Sequence, residues 1–131
     1  MRVALKFAYD GKDFSGYARQ PGQRTVEQAL LNLLRTRGIL VDAKTSRFRT
    51  ASRTDRGVSA LGNVCAFDTA SSKKTIFSLL TTCISDIFIY GEQSVEPGFY
   101  PRHAIRREYR YYLKRNDLDA VSYTHLTLPT N

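Results

Sequence analysis

Cysteine is scarce: the 131 residues hold two, Cys65 and Cys83. They are far apart, form no Cys-x-x-Cys pair and sit in apolar stretches. That favours buried free thiols over a zinc site or a disulfide. Long hydrophobic runs are lacking too. No stretch approaches the roughly 20 apolar residues of a membrane span. The start, Met1-Arg2-Val3-Ala4-Leu5-Lys6, has no apolar run of the kind a signal peptide needs. A cytoplasmic protein without membrane contact is the expectation. Acidic residues are outnumbered, 12 Asp plus Glu against 20 Lys plus Arg, for a net charge of +8. An excess of that size favours a polyanionic partner such as RNA over an unspecialised basic surface only weakly. Phosphate-loop, zinc and dinucleotide fingerprints are missing. His103 and His125 have no metal-ligand partner in the sequence, so no metal is expected.

What is present suffices for one compact domain, with 42% hydrophobic residues. Residues 2–9 alternate, with Val3, Leu5, Phe7 and Tyr9 on one face, and read as a strand. Asp10-Gly11 reads as a turn, with Asp10 capping it, and Lys12 to Arg24 as a long loop. Thr25 and Gln28 form a capping-box pattern ahead of a helix whose buried face is Val26, Ala29, Leu30, Leu33 and Leu34, ended by Gly38. Ser46 to Thr50 reads as a short strand, and Asn63 to Asp68 as another. Ser71 or Ser72 caps a second helix with the face Ile76, Leu79, Leu80, Cys83 and Ile84. Ile87 to Tyr90 reads as a buried strand, and Glu108 to Lys114 as a last one. This order is the split β-α-β pattern of an α+β, ferredoxin-like (RRM-like) β-α-β-β-α-β sandwich. After Leu118 the chain has no Lys or Arg. The run Ser122 to Thr130 resembles translated read-through of a sequencing adaptor, so the domain is expected over 1–118 and a non-native or disordered tail over 119–131.

The stretch Ala51-Ser52-Arg53-Thr54-Asp55-Arg56-Gly57-Val58-Ser59-Ala60 resembles the signature of TruA-type tRNA pseudouridine synthases. There a small residue and Gly precede Arg-Thr-Asp, a variable residue, Gly-Val and often His-Ala. Arg53, Thr54, Asp55, Gly57 and Val58 match; Ser52 stands where Gly is usual and Ser59 where His is usual. Three further blocks match in order: Tyr9-Asp10-Gly11 with Phe14, Gly16 and Gln20; Thr25-Val26-Glu27; and Phe99-Tyr100-Pro101-Arg102 followed by Arg107-Glu108-Tyr109-Arg110-Tyr111. The Tyr9-Asp10-Gly11 and Gly16 to Gln20 stretches are similar to archaeal members.

The resemblance implies an isomerase that breaks the N-glycosidic bond of a tRNA uridine, turns the uracil and rejoins it through carbon, without metal or cofactor. It makes Asp55 the catalytic carboxylate, acting as nucleophile or by stabilising the intermediate. The flanking Arg53 and Arg56 favour its ionised form. An isolated Arg-x-Asp is more often a surface ion pair; the surrounding blocks reverse that. The uridine must be extruded before chemistry. By resemblance Arg53 holds the displaced nucleotide or its phosphate, and Tyr109 stacks on the target uracil; the plain alternative makes Tyr109, Tyr111 and Leu113 a buried strand face. Phe99, Tyr100, Pro101, Arg102 and His103 match an RNA-contacting stretch. Arg102, His103, Arg106 and Arg107 form a basic cluster suited to phosphates, or else a solvated surface. Lys12, Arg19 and Arg24 are weaker candidates.

The resemblance further implies tRNA as partner, with the anticodon arm as usual target, and a homodimer at full length. It also implies a chain of two related halves with the site in the cleft between them. This chain corresponds to the N-terminal half, so poor activity alone is expected. Two other readings stay open: a non-catalytic RNA-binding module of RNA-recognition type, against which the missing RNP1 pattern counts, and a ferredoxin-like metabolic enzyme or oligomer subunit.

Overall fold

The structure, a computed structural model, describes residues 1–84, 86–103, 106–112 and 123–129; of 106, 107, 110–112 and 123–129 the backbone alone is described. The class is α+β. Strand β1 (Arg2–Tyr9) is the centre of a five-stranded antiparallel sheet. Its period-two pattern puts Val3, Leu5, Phe7 and Tyr9 into the core, each no more than 4% exposed. Arg2, Ala4, Lys6 and Ala8 point the other way. Strands β3 (Ala60–Asp68) and β5 (Ile87–Val95) flank β1, while β2 (Arg49–Thr50) and β4 (Cys83–Ile84) form the edges, in the order β2-β3-β1-β5-β4. Helix α1 (Val26–Thr36) and the short α2 (Lys73–Phe77) contribute to one core with β1, β3 and β5.

Helix α1 begins as its sequence predicts. Thr25 caps it, its hydroxyl accepting from the Gln28 N–H at 3.3 Å. The capping box is half formed, because the Gln28 side chain donates to Asn32 Oδ1 at 2.9 Å instead of turning back. Gly38, at φ +69°, ends the helix. The Ile39 N–H reaches Leu34 O at 2.9 Å and the Gly38 N–H reaches Arg35 O at 3.0 Å, the paired bonds of a Schellman motif. Val26, Leu30, Leu31, Leu33 and Leu34 are buried, each such side chain stabilising by about 1.5–3 kcal/mol.

Three expectations are corrected. Helix α2 ends at Phe77, although Ile76, Leu79, Leu80, Cys83 and Ile84 keep helical spacing. Thr81 turns at φ +65°, its N–H donates to Ile89 O at 2.8 Å, and the Ile89 N–H donates to Thr82 O at 3.0 Å. Pairing with β5 therefore captures Cys83 and Ile84 as a strand. Cys83 is consequently exposed, while Cys65 is buried and its thiol is pushed far up by desolvation. The run Ile87 to Tyr90 is buried on one face only: Ile87 and Ile89 are inside, Phe88 and Tyr90 are each 39% exposed.

Beyond β5 a 3-10 turn, Pro101–His103, leads to β6 (Arg106–Tyr112), which pairs antiparallel with β7 (Tyr123–Pro129). The expected strand from Glu108 to Lys114 corresponds to β6; Leu113 and Lys114 lie outside the described residues. Within the segment read as tail, residues 123–129 are strand; 119–122, 130 and 131 lie outside the described residues. Among the described residues no helix is long and apolar enough to cross a membrane.

Candidate active site

The loop between β2 and β3 carries Asp55, and both of its ends are clamped. On the β2 side the Ala51 N–H donates to Val64 O at 2.8 Å. Asn63, 4% exposed, brackets the next residue: its Nδ2 donates to Ser52 O at 2.8 Å and its Oδ1 accepts from the Ser52 N–H at 3.3 Å. One buried amide thus satisfies both backbone groups of Ser52. In mid-loop Thr54 is held twice. Its carbonyl accepts from the Tyr17 N–H at 3.0 Å, and its hydroxyl bonds the Tyr9 hydroxyl at 2.7 Å.

Past Asp55 the chain reverses, with the Val58 N–H donating to Asp55 O at 3.1 Å and Gly57 at φ +78°, a conformation glycine adopts without penalty. The Gly57 N–H reaches Phe14 O at 3.4 Å, and Ser59 Oγ accepts from the Gly11 N–H at 2.9 Å. Here the two loops touch backbone to backbone. A Cβ on Gly11 would lie 2.0 Å from Val58 O, so only glycine fits. Asp10 does cap the preceding turn, as expected, accepting from the Lys12 N–H at 3.0 Å.

These contacts leave Asp55 exposed, together with Arg53 and Arg56. It stands on the wall of an open cleft of about 550 Å³ that Gly16, Tyr17, Gln20 and Gln23 share with Arg53, Thr54 and Arg56. Among the described residues the ion pairs are Arg2–Asp68, Arg19–Glu27, Arg24–Asp86 and Arg47–Asp68. Asp55 is in none of them, so its sequence neighbours do not tie it down. A carboxylate held this way can attack, or accept a proton from, a ligand entering the cleft. Two guanidinium groups close by can meet a phosphate.

Behind the loop lies an aromatic floor. The Phe7 and Tyr9 rings are 5.9 Å apart, Phe7 and Tyr17 6.5 Å, Tyr9 and Tyr17 6.2 Å. Tyr17 also bonds Thr50 Oγ1 at the end of β2. Burial pushes both phenols up, Tyr17 well above the ordinary tyrosine range. At Tyr9 desolvation dominates the upward shift, and the Tyr109 hydroxyl on β6 adds the smallest contribution. Tyr109 is half-buried and is not among the residues lining the cleft.

The other expected contacts lie elsewhere. Phe99 and Tyr100 sit by Arg2, at the far end of β1: Arg2 Nε donates to Phe99 O at 2.9 Å, and its guanidinium lies 5.6 Å from the Tyr100 ring. Arg2 and Tyr9 are the two ends of the eight-residue strand, seven steps or roughly 23 Å apart at about 3.3 Å per residue. Pro101 is buried, while Arg102 and His103 are exposed, with the His103 ring 5.8 Å from Tyr100. Arg106 and Arg107 lie on β6, where the backbone alone is described. Arg19 pairs with Glu27, and Arg24 lies 4.0 Å from the Phe14 ring and 3.6 Å from Asp86, so both are engaged within the fold.

Asn63, Tyr9 and Gly11 are absent from the set of candidates drawn from sequence as loop-holding residues. A polar amide opening an apolar strand was the available signal for Asn63.

No protein-family model matches the chain. Curated relatives do. A protein of Thermococcus sibiricus named tRNA pseudouridine synthase A is 48% identical over 122 residues, 92% of this chain and 46% of the relative. One of the same name from Methanobrevibacter smithii is 46% identical over 118 residues, 90% of this chain and 40% of the relative. A third, from Thermoplasma acidophilum, is 36% identical over 119 residues, covering 91% and 45%. By sequence, then, this chain is similar to archaeal proteins named tRNA pseudouridine synthase A, and it spans less than half the length of each of these three.

Proposed function

We propose that this chain carries the nucleophile-bearing part of a tRNA pseudouridine synthase, with Asp55 as the catalytic carboxylate. One observation carries the reading. The loop around Asp55 is clamped at Ser52, Thr54 and Gly57, yet the carboxylate itself is exposed on the cleft wall between two arginines. That is a rigid mount for an unspent charged group. The reaction is an isomerisation: the bond from the ribose to the uracil nitrogen breaks, the base turns, and a bond to carbon forms. Asp55 attacks or stabilises the intermediate. Arg53 holds the displaced nucleotide or its phosphate. Tyr109 stacks on the uracil, and Phe99, Tyr100, Arg102, His103 and Arg107 extend the tRNA contact along the domain, with the buried Pro101 holding the turn that presents them.

The fold in this reading is ferredoxin-like and is the N-terminal half of a longer, cytoplasmic homodimer. The antiparallel order β2-β3-β1-β5, with helices after β1 and β3, supports the first point. Residues 119–131 are a non-native tail. The three relatives above match 90–92% of the chain, which leaves a share the size of that segment unmatched.

The test is a chimera that completes this chain with the remaining length of the Thermococcus sibiricus relative. Asp55→Ala should abolish conversion of uridine to pseudouridine in transcribed tRNA while leaving tRNA affinity and thermal melting in place. Retained conversion would remove Asp55 from the chemistry.

A further inference from the structure

The sheet face turned away from the helices has one feature that the proposed site does not use. Phe88 and Tyr90, two apart on β5, stack at 5.9 Å and 16°, each 39% exposed. Exposed aromatic pairs of this kind are unusual on a free surface, and this one is built rather than incidental. The Tyr90 hydroxyl crosses β1 to donate to Leu61 O on β3 at 2.6 Å, which fixes the ring. Gly62 makes the room: a Cβ there would lie 2.9 Å from the Tyr90 hydroxyl and 3.0 Å from Lys6 Cε. Lys6, exposed on β1, carries its ammonium 5.9 Å from the Tyr90 ring.

Both neighbours of β1 lose register at this point. The shift on the β3 side falls between Phe7 and Tyr9, and that on the β5 side between Lys6 and Phe7. Such bulges re-aim side chains and favour functional edges. Leu61, whose carbonyl takes the Tyr90 hydroxyl, is itself 81% exposed.

We infer that this shelf is a stacking platform for unpaired bases of RNA, with Lys6 taking an adjacent phosphate. The chemistry selects the ligand. Flat aromatic faces beside a cation suit bases and backbone together. A covering protein domain would have to bury the Lys6 ammonium at its centre, where interfaces are depleted of lysine. Leu61 is six residues from Asp55, at most about 20 Å along the chain. The platform rests on the proposed function to this extent: it would receive the strand next to the extruded uridine.

Fluorescence anisotropy of a labelled oligouridylate with the 131-residue chain tests it. Phe88→Ser should weaken single-strand binding about 5- to 100-fold and leave a duplex RNA of matching length unaffected. Tyr90→Ser should do the same, Tyr90→Phe should restore most of the affinity, and Lys6→Gln should lower the salt slope by about one. Circular dichroism melts exclude misfolding as the cause. Unchanged single-strand affinity in both serine variants, or equal losses on duplex, would overturn the platform. The platform is read on the oligouridylate with the Phe88 and Tyr90 variants, and the catalytic assignment on pseudouridine formed per tRNA by Asp55→Asn in the chimera, so failure of the catalytic assignment and failure of the platform read out separately.

Discussion

Asp68 and Asp55 stand at opposite ends of the sheet, and each has two arginines for neighbours. At Asp68, on the last residue of β3, the neighbours come from distant parts of the chain and bond it directly: Arg47 Nε at 2.6 Å and Arg2 Nη1 at 3.2 Å. Arg47 first, then Arg2, hold this carboxyl below the ordinary range. Arg2 also donates to Phe99 O and Arg47 O, and Arg47 to Pro97 O, so this end of the sheet is a closed ionic latch. At Asp55 the neighbours are adjacent in sequence, and no ion pair forms among the described residues. The backbone is clamped instead, by Asn63, Tyr9, Tyr17 and Phe14. Charges near one another in sequence need not meet in space. A carboxylate whose backbone is fixed but whose oxygens take no ion pair among the described residues is arranged for a ligand, and one whose oxygens are taken is arranged for the fold.

Substitutions can break that contrast, and the largest expected loss of stability is at the latch. Asp68→Ala strands the Arg2 guanidinium, whose side chain is 1% exposed. A fully buried broken pair costs about 3–5 kcal/mol. Asp68 is 36% exposed, so roughly 2 kcal/mol is expected after screening, read by urea unfolding. The pH dependence has a definite sign. The folded carboxyl is depressed, so its contribution is present above the unfolded value of about 4 and fades as pH falls below it. The Asp68→Ala variant should therefore show a shallower loss of stability below pH about 4 than the parent.

Next comes Gly11→Ala, which drives a methyl group into Val58 O. A cost of about 1–3 kcal/mol is expected, together with faster amide exchange at Tyr17 and Val58 as the Asp55 loop lifts.

The basis of the loop clamp was only partly legible in the sequence. Alternation in β1, the Thr25 cap and the Gly38 stop could be read directly because each is a local preference that the fold keeps. The end of α2 could not. Helical spacing from Ile76 to Ile84 is real, but hydrogen bonds to β5 decide those residues' fate, and periodicity does not report a partner strand. The motif singles out Asp55 as a candidate but does not point to the residues that hold its loop. Asn63 and Ser52 meet only because β2 and β3 are neighbours, and the need for glycine at Gly11 comes from a loop 47 residues later in the chain. Ser59, which stands where the resembling family usually has His, takes the Gly11 N–H.

A smaller effect sharpens the contrast from the other side. Tyr9→Phe removes one hydroxyl bonded to Thr54 and should cost about 1 kcal/mol, with a larger fractional loss of uridine conversion in the completed chimera than of tRNA affinity. Smallest of all, Arg19→Ala removes an exposed pair with Glu27 and should shift stability by no more than about 0.5–1 kcal/mol, with conversion unchanged.

The most direct measurement pairs the two aspartates. Asp55→Asn and Asp68→Asn are made in the chimera with the Thermococcus sibiricus relative, and pseudouridine formed per tRNA is measured beside the melting temperature. The expected result is that Asp55→Asn loses conversion at an unchanged melting temperature, whereas Asp68→Asn melts earlier and keeps its conversion rate per folded molecule. Conversion surviving Asp55→Asn would contradict the assignment of the free carboxylate to the chemistry.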